Sequence, residues 1–227
     1  MVRQNTGRKR DAVRTKASIL SAAISEFALR GPAGTRVDEV AARAGVNKSL
    51  IYQYFGSKQE LYAEALNSVL SAITEKSADY SREFAEMALG GDLRAYVKRY
   101  LDNHLSMLEA IPEYPRLIAW ENLEGGRTLA RMPLQATYQA FLGRVKQILE
   151  PLHDKGMLSA SFNLSHVAQA VMALTHYFVI QKGTLQHLFL MDPMARDTRE
   201  SWLNFCTDMF LSAFKGALKA APGETQA

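Results

Sequence analysis

The sequence predicts an all-α protein, with a set of short helices at the N-terminal end and a larger helical part behind them. Apolar residues recur at spacings of three and four along most of the 227-residue chain, which is the period of an α-helix. Runs of alternating apolar and polar residues, which would predict strands, are not found. Apolar residues make up 48% of the chain, so a substantial core can be buried.

The charge is distributed unevenly along the chain. Residues 1–60 contain 11 Lys or Arg and 5 Asp or Glu, whereas the remainder contains 16 and 18. A basic first quarter on a near-neutral body favours a module that binds a polyanion, joined to a module with another task. Much of the excess lies in residues 1–10, which form either a disordered basic tail or an arm that enters the DNA minor groove.

Turn and capping residues divide the N-terminal part into four helices. Gly31 and Pro32 end the first helix, and Thr35 is a plausible N-cap for the second. Gly45 provides a tight turn, and Asn47 is able to cap the third helix. Ser57 and Glu60 form a capping box that opens the fourth. The expected helices span about 11–30, 35–43, 47–54 and 57–78.

The remaining helices are separated mostly by glycine and proline. Pro133 and Pro193 suit the first turn of a helix, where a missing amide hydrogen has no cost. Residues 221–227 are expected to be disordered. The expected helices span about 80–89, 92–110, 113–123, 134–154, 164–182 and 193–220.

Two short helices joined by a turn that contains glycine are typical of a helix-turn-helix motif. The second helix of such a motif needs one apolar face to hold it and one exposed face that donates hydrogen bonds to DNA. Ile51 and Phe55 lie four residues apart and form the apolar face. The opposite face carries Lys48, Ser49, Tyr52 and Gln53. The pattern therefore predicts a DNA-binding domain over residues 11–66.

The stretch from Gly34 to Lys58, continued by Glu60-Leu61-Tyr62, resembles the TetR/AcrR family of transcriptional regulators. The matching features are Ala-Ala-Arg-Ala-Gly-Val, Tyr-x-Tyr-Phe and the following Ser-Lys, all at the family's spacing. The resemblance covers roughly residues 12–66. Beyond residue 70 only the length and the helical character agree.

The resemblance implies a role for each matching residue. Phosphate contacts are implied for Thr35, Arg36, Tyr52, Tyr54 and Lys58. Lys48, Ser49 and Gln53 are the candidates that contact base edges, since Lys can donate to guanine and Gln can bond adenine bidentately. Asn47 caps the recognition helix. Tyr54 is alternatively a core residue, Leu50 either packs or touches a thymine methyl, and Arg43 is expected to be a solvated charge.

The resemblance also implies that residues 67–220 form a helical ligand-binding and dimerisation domain. The last two helices would pair with those of a second copy. Two apolar stripes suit this use but are equally compatible with an internal core: Val167, Val171, Leu174 and Phe178, and Trp202, Phe205, Met209, Phe210 and Phe214. A dimer also follows from geometry, because two recognition helices must meet half-sites about one DNA turn apart.

Candidate ligand-binding residues are polar and aromatic side chains among the mid-chain apolar stretches. They are His104, Met107, Trp120, Glu121, Tyr138, Phe141, His176, Tyr177 and Gln181. Each is alternatively structural. Glu121 would be costly to bury without a partner. His166 and His176 lie on nearly opposite faces of one helix and do not form a local metal site, so neither a metal nor a cofactor is expected.

These observations together predict a repressor that binds a palindromic operator as a homodimer and is released by a small-molecule effector. The alternative is a DNA-binding protein of the same fold that has no such effector and is controlled by a protein partner. Enzyme signatures such as Gly-x-Ser-x-Gly and His-Glu-x-x-His are not found in the sequence, so no enzyme is expected. A cytoplasmic location is expected, because the sequence shows neither a signal peptide nor a membrane span and has one cysteine, Cys206.

Overall fold

The structure is a computed structural model that describes residues 3–90, 92–154 and 163–219. Within these ranges every regular element is helical, which confirms the predicted all-α fold. The elements are α1 (Arg3–Gly34), α2 (Val37–Ala44), α3 (Lys48–Phe55), α4 (Lys58–Gly90), α5 (Leu93–Ala110), α6 (Glu113–Leu123), a 3-10 turn (Leu129–Arg131), α7 (Gln135–Asp154), α8 (Leu164–Ile180), α9 (Lys182–His187) and α10 (Arg196–Lys219).

The chain forms two compact units. Unit 1 comprises residues 1–72 together with 111–133, and unit 2 comprises residues 73–110 together with 134–227. Helix α6 lies inside the range 67–220 expected for the second domain and packs in unit 1, and the expected domain bounds stay a prediction. Periodicity along the chain cannot predict such an assignment, since it depends on which distant helix covers each apolar face.

Helix α1 is interrupted where the sequence predicts its end. Gly31 has φ 72 and ψ 171, outside the helical region, and a last turn follows before Gly34. Glycine adopts a positive φ without steric cost, and Pro32 suits the start of the turn behind it. At its N-terminal end, α1 begins at Arg3, so most of the predicted arm 1–10 has a helical backbone. The side chains of residues 1–10 and the predicted tail 221–227 lie outside the described part.

The core of unit 1 is built by the helices around the helix-turn-helix. Phe27 of α1 is fully buried and packs edge-to-face on Tyr62 of α4, with ring centroids 4.9 Å apart. Val40 of α2 and Ile51 of α3 are buried in the same unit, and Leu117 brings in α6. Small apolar residues between α2 and α3, such as Ala41, let the two short helices approach closely.

The core of unit 2 joins α4, α5, α8, α9 and α10. Its buried members include Phe84, Leu101, Phe178 and Phe210. An ionic seam links α5 to α10. Within it, Arg199 donates to Asp102 at 2.7 Å and to Glu109 at 2.6 Å. These contacts hold α10 against α5, and the stacked rings of Phe178 and Trp202 join α10 to α8 in the same core.

Three boundaries in unit 2 differ from the sequence expectations. The expected break between 78 and 80 is wrong, because α4 runs unbroken to Gly90 and contains neither glycine nor proline before that residue. Helix α9 was not expected, since six residues are too few to show a helical period. Helix α10 begins at Arg196 rather than 193, because Asp192 accepts the amide of Met194 and closes a turn before the helix.

Candidate functional site

The helix-turn-helix has the local geometry that the sequence predicts. Gly45 ends α2 in the left-handed conformation, φ 68 and ψ 33. The amide of Val46 then donates to the carbonyl of Ala41 at 3.0 Å, which closes the turn. Asn47 caps α3, with its Oδ1 accepting the amide of Leu50 at 2.9 Å and the hydroxyl of Ser49 at 2.7 Å. The turn residue Gly45 and the cap Asn47 are therefore confirmed as predicted.

Helix α3 separates its two faces cleanly. Ile51 and Phe55 are buried in the core of unit 1. The opposite face is exposed and carries Lys48, Ser49, Tyr52 and Gln53. An eight-residue helix held by one apolar face and a side-chain cap presents these donors in a fixed direction. This is the arrangement that entry into the major groove requires.

The first residue of α3 is already ion-paired. The ammonium of Lys48 lies 3.0 Å from Asp38 Oδ1 and Oδ2 in the first turn of α2. Both side chains are about half exposed. Lys48 therefore bridges the two helices of the motif. Its side chain stays accessible to solvent and thus to a DNA groove.

The role expected for Thr35 is corrected. The N-cap of α2 is Arg36, whose backbone is extended. Thr35 is 1% exposed, and its hydroxyl donates to the carbonyls of Gly31 at 2.8 Å and Glu26 at 3.1 Å. A buried hydroxyl that is already bonded to the backbone has no access to phosphate, so Thr35 ties the end of α1 to α2 instead. The side chain of Arg36 is exposed beside it.

The other candidate phosphate contacts lie at the surface of unit 1. Tyr52 is exposed, whereas Tyr54 is half-buried next to Phe55, which keeps both of its alternatives open. Lys58 opens α4 and donates to the carbonyl of Ala33 at 3.3 Å. The amide of Glu60 donates to Ser57 Oγ at 3.1 Å, so Ser57 caps α4 as predicted. A helix N-terminus with a lysine beside it suits a phosphate group.

A buried carboxylate behind the motif was missed by sequence reasoning. Glu26 of α1 is 3% exposed, and its Oε1 accepts from Nε of Arg43 at 2.7 Å. Arg30 lies 3.1 Å from the other oxygen and also pairs with Glu39. Arg43 is exposed, as expected of a solvated charge, and in addition pairs with the buried carboxylate of Glu26. An acidic residue among the apolar positions of α1 is the one signal that pointed here.

Two of the candidate ligand residues, Trp120 and Glu121, belong to unit 1 and have partners there. The indole of Trp120 packs on Gly31 and donates to the carbonyl of Ala28 at 3.4 Å. Glu121 is 1% exposed and accepts the amides of Thr128 at 3.1 Å and Leu129 at 3.2 Å. Glu121 thus has the partners that its burial demands.

The carboxylate of Glu121 also affects Tyr62. Burial, reinforced by the nearby negative charge of Glu121, raises the pKa of Tyr62 well above its usual range. Glu121 and Tyr62 both lie within unit 1. Trp120 and Glu121 therefore help to hold α6 against the DNA-binding helices.

The two candidate histidines come together in unit 2. The rings of His104 on α5 and His176 on α8 stack with centroids 5.7 Å apart. Nδ1 of His104 lies 2.8 Å from the hydroxyl of Thr175. Burial lowers the pKa of His104 to about 3, helped by His176, and burial lowers the pKa of His176 to about 4. The structure therefore holds a neutral, polar pair within an apolar helical unit.

The other candidate ligand residues are more scattered. Met107 is buried on α5, and Phe141 on α7 is half-buried. Tyr177 is 45% exposed, and Gln181 accepts from the hydroxyl of Thr184 at 3.1 Å. The side chain of Tyr138 lies outside the described part.

The stripes considered for dimerisation divide between core and surface. Val167, Val171, Leu174 and Phe178 of α8 pack in or against the core of unit 2. On α10, Phe210 is buried, whereas Phe205 is 59% and Met209 is 40% exposed. The side chain of Phe214 lies outside the described residues. Tyr177 and Ile180 of α8 are exposed as well, so both helices carry apolar surface that unit 2 itself does not cover.

The helical fold and the helix-turn-helix motif define the class of protein. It is a helix-turn-helix protein with a second unit whose described elements are all helical. Residues 19–65 match the family model described as bacterial regulatory proteins of the tetR family. Residues 93–210 match the model described as a tetracyclin repressor-like C-terminal domain. The chain belongs to the TetR family of transcriptional regulators, and it is a DNA-binding regulator and not an enzyme.

Individual relatives agree with the family. The HTH-type transcriptional repressor SCO4008 of Streptomyces coelicolor is 31% identical over 75% of this chain and 81% of its own length. The HTH-type transcriptional repressor NicS of Pseudomonas putida is 27% identical over 95% of this chain and 100% of its own.

Solved structures agree as well. The protein SCO4942 from Streptomyces coelicolor has a TM-score of 0.62 and 28% identity, covering 86% of this chain and 97% of that one. FadR from Bacillus subtilis, solved with stearoyl-CoA, has a TM-score of 0.56 and 17% identity, covering 85% and 97% of the two chains. The likeness to FadR shows the fold alone.

Two further findings concern the described residues only. None of their helices is long and apolar enough to cross a membrane. Among the same residues, no group of three or more His, Cys, Asp or Glu side chains is placed to hold a metal ion.

Proposed function

We propose that this regulator is a repressor that binds a palindromic operator as a homodimer. The exposed face of α3 carries the proposal, because it presents Lys48, Ser49 and Gln53 on a helix fixed by a buried face and a cap. Lys48 and Gln53 donate to guanine and adenine edges, and Arg36, Tyr52 and Lys58 contact phosphate. Two such helices meet half-sites about one turn apart only in a dimer.

The exposed apolar side chains of α8 and α10 support the dimer. Phe205 and Met209 lie one helical turn apart on α10, and Tyr177 and Ile180 lie near the end of α8. Apolar surface of this kind marks an interaction site when several residues share it. In the dimer these side chains pack against their counterparts in the second copy.

Unit 2 supports the release by a small molecule. It holds the neutral pair of His104 and His176 and the hydroxyl of Thr175 among apolar residues, a mixture typical of ligand sites. FadR, which shares the fold, was solved with a bound acyl-CoA. The chain passes between the units at 72/73, 110/111 and 133/134, so three backbone connections link unit 2 to unit 1. The ligand then favours a state whose recognition helices no longer match the half-sites.

A mobility-shift assay tests the proposal against the promoter region beside the chain's own gene. We expect salt-sensitive, sequence-selective binding with two chains per operator. A panel of small molecules, screened by thermal shift, is expected to contain compounds that stabilise the chain and release the DNA. Non-selective DNA binding would contradict the operator, and failure of every compound would favour control by a protein partner.

A further inference from the structure

The ion pair between Lys48 and Asp38 joins the two helices of the DNA-binding motif. Both carboxylate oxygens of Asp38 lie 3.0 Å from Nζ of Lys48, and the two side chains are 56% and 48% exposed. Asp38 is in the first turn of α2, and Lys48 is the first residue of α3. The pair therefore stands at the same exposed end of the motif as the candidate base contacts.

The carboxylate of Asp38 has an electrostatic cost in a DNA-binding surface. A negative charge at this surface opposes the approach of phosphates, and pairing with Lys48 removes a positive charge that would attract them. The neighbouring Glu39 is engaged by Arg30. A surface optimised only for affinity to DNA would leave the positive charge of Lys48 unpaired. The ion pair therefore indicates a role other than the electrostatic attraction of phosphates.

We propose that Asp38 is a positioning residue for base recognition. It cancels the charge of Lys48 and holds the ammonium in one direction, so that Lys48 adds to binding mainly where a base edge offers acceptors in line. An ammonium has three N–H donors, which allows Lys48 to keep its bond to Asp38 while it donates to guanine O6 or N7. A contact to a phosphate that lies out of line with the remaining N–H donor requires the ion pair to be broken. The inference rests on the proposed function, in which Lys48 contacts bases.

The two modes of DNA binding are affected unequally. Binding to arbitrary sequences is driven by phosphate neutralisation and counterion release, to which a compensated lysine adds little. Binding to the operator keeps the contribution of Lys48 through its base contact. Asp38 therefore raises the ratio of operator affinity to non-specific affinity, which is the quantity that matters among many competing sites.

The substitution Asp38→Asn removes the charge and keeps the shape of the side chain. The probes are a duplex that the native chain selects from a random library and a scrambled duplex of equal length, each titrated over a range of salt. Exposed ion pairs are worth a factor of about 1.5 to 5, so affinity for the scrambled duplex should rise by that factor for each chain bound. The slope of log affinity against log salt should steepen by about one for each chain. Affinity for the selected duplex should rise less.

Matched variants separate positioning from other effects. Glu64→Gln removes the same charge from an exposed position of α4 and should leave the affinity ratio near that of the native chain. Asp38→Glu keeps the charge. Its ratio of selected-duplex to scrambled-duplex affinity should lie between those of Asp38→Asn and the native chain. In a Lys48→Ala background, Asp38→Asn should no longer change the ratio, because the residue through which Asp38 acts is gone.

Several outcomes would overturn the inference. An unchanged ratio in Asp38→Asn, in a native chain that is selective, removes the role of Asp38 while the proposed function stands. An equal effect of Glu64→Gln means that net charge alone matters. A change of base preference by Asp38→Asn in the Lys48→Ala background means that Asp38 contacts bases itself. A native chain without any sequence selectivity contradicts the proposed function instead.

Discussion

The indole of Trp120 lies directly on the backbone of Gly31. A Cβ atom added at residue 31 would meet Cδ2 of Trp120 at 2.7 Å and Cε3 at 2.8 Å. Gly31 also has φ 72, a conformation that side chains rarely adopt. Gly31 therefore ends the regular part of α1 and also lets α6 approach α1. Its backbone conformation and its contact with Trp120 are two separate reasons for the lack of a side chain.

We predict that Gly31→Ala is strongly destabilising. With φ 72 and ψ 171, Gly31 lies in a backbone region essentially restricted to glycine, which alone costs another residue about 1–3 kcal/mol, and overpacking against the indole adds about 1–3 kcal/mol. Gly45→Ala, at φ 68 and ψ 33 with open space around it, should show only the cost of the left-handed helical conformation, about 1–2 kcal/mol. Gly34→Ala, whose Cβ would meet only Cβ of Arg30 at 3.4 Å, should be nearly neutral. Urea denaturation checks this order, and equal losses for Gly31→Ala and Gly45→Ala would contradict the steric contribution of Trp120.

We predict that Glu26 and Arg43 are energetically coupled. Arg43 donates to the buried Oε1 of Glu26 at 2.7 Å, and hydrogen bonds to charged groups contribute about 1.5–3 kcal/mol. Arg43→Ala should cost about this much, because it leaves the carboxylate dependent on Arg30 alone. Glu26→Gln, which keeps an acceptor, should cost less than Glu26→Ala. A double-mutant cycle measured by urea denaturation gives the coupling, and additive effects would contradict it.

We predict that the stacked histidines make unit 2 sensitive to acid. Burial lowers the pKa of His104 to about 3 and that of His176 to about 4, whereas both are near 6.5 when exposed. Between about pH 6.5 and 4 the unfolded chain therefore binds protons that the folded chain does not. The free energy of unfolding is unaffected above this window and falls as the pH drops through it, by about 1.4 kcal/mol per pH unit for each histidine.

The measurement uses the two tryptophans, one in each unit. Trp120→Phe leaves Trp202 of α10 as a fluorescence reporter of unit 2. In this background, His176→Phe should reduce the loss of stability between pH 7 and 4.5 by about 2 kcal/mol. The control His166→Gln changes an exposed histidine of the same helix and should leave the loss unchanged. A native pH dependence in His176→Phe would show that the pair is not the cause.

We predict that a charge at Phe205 weakens the proposed dimer. Phe205 is 59% exposed on α10, and burial of a phenylalanine in an interface contributes about 1.5–3 kcal/mol. Phe205→Glu should shift the dimer to monomer at micromolar concentration and lower operator affinity in parallel. Leu123→Glu, at a position that is 77% exposed on α6, is the matched control. Sedimentation velocity checks both, and a Phe205→Glu protein that stays dimeric would contradict an interface at α10.

Local signals in the sequence were sufficient for the DNA-binding motif. Gly45, Asn47 and the spacing of Ile51 and Phe55 act through neighbours within a few residues, so their turn, cap and buried face could be predicted. The contacts of Glu26 could not, because its partner Arg43 lies 17 residues away and chemistry alone does not say which charges pair.

The same limit applies to the positions of the ligand candidates. Trp120 and Glu121 have the composition of a pocket, but α6 packs in unit 1, and that choice depends on Gly31, about 90 residues earlier in the chain. His104 and His176 are likewise distant in sequence, and their stacking is a property of how α5 and α8 pack. Helical periodicity identifies apolar faces and leaves their partners open.

The assignment of Lys48 to base contacts and of Lys58 to phosphate contacts is tested most directly by base preferences. The affinities of the native chain, Lys48→Ala and Lys58→Ala are measured against every single-base variant of the selected operator. We predict that Lys48→Ala relaxes the preference at one position of each half-site, at a cost of about 1–3 kcal/mol, whereas Lys58→Ala weakens binding to all variants alike. Identical profiles for the two substitutions, or a native chain that does not distinguish the variants, would contradict the assignment of α3 as the helix that recognises sequence.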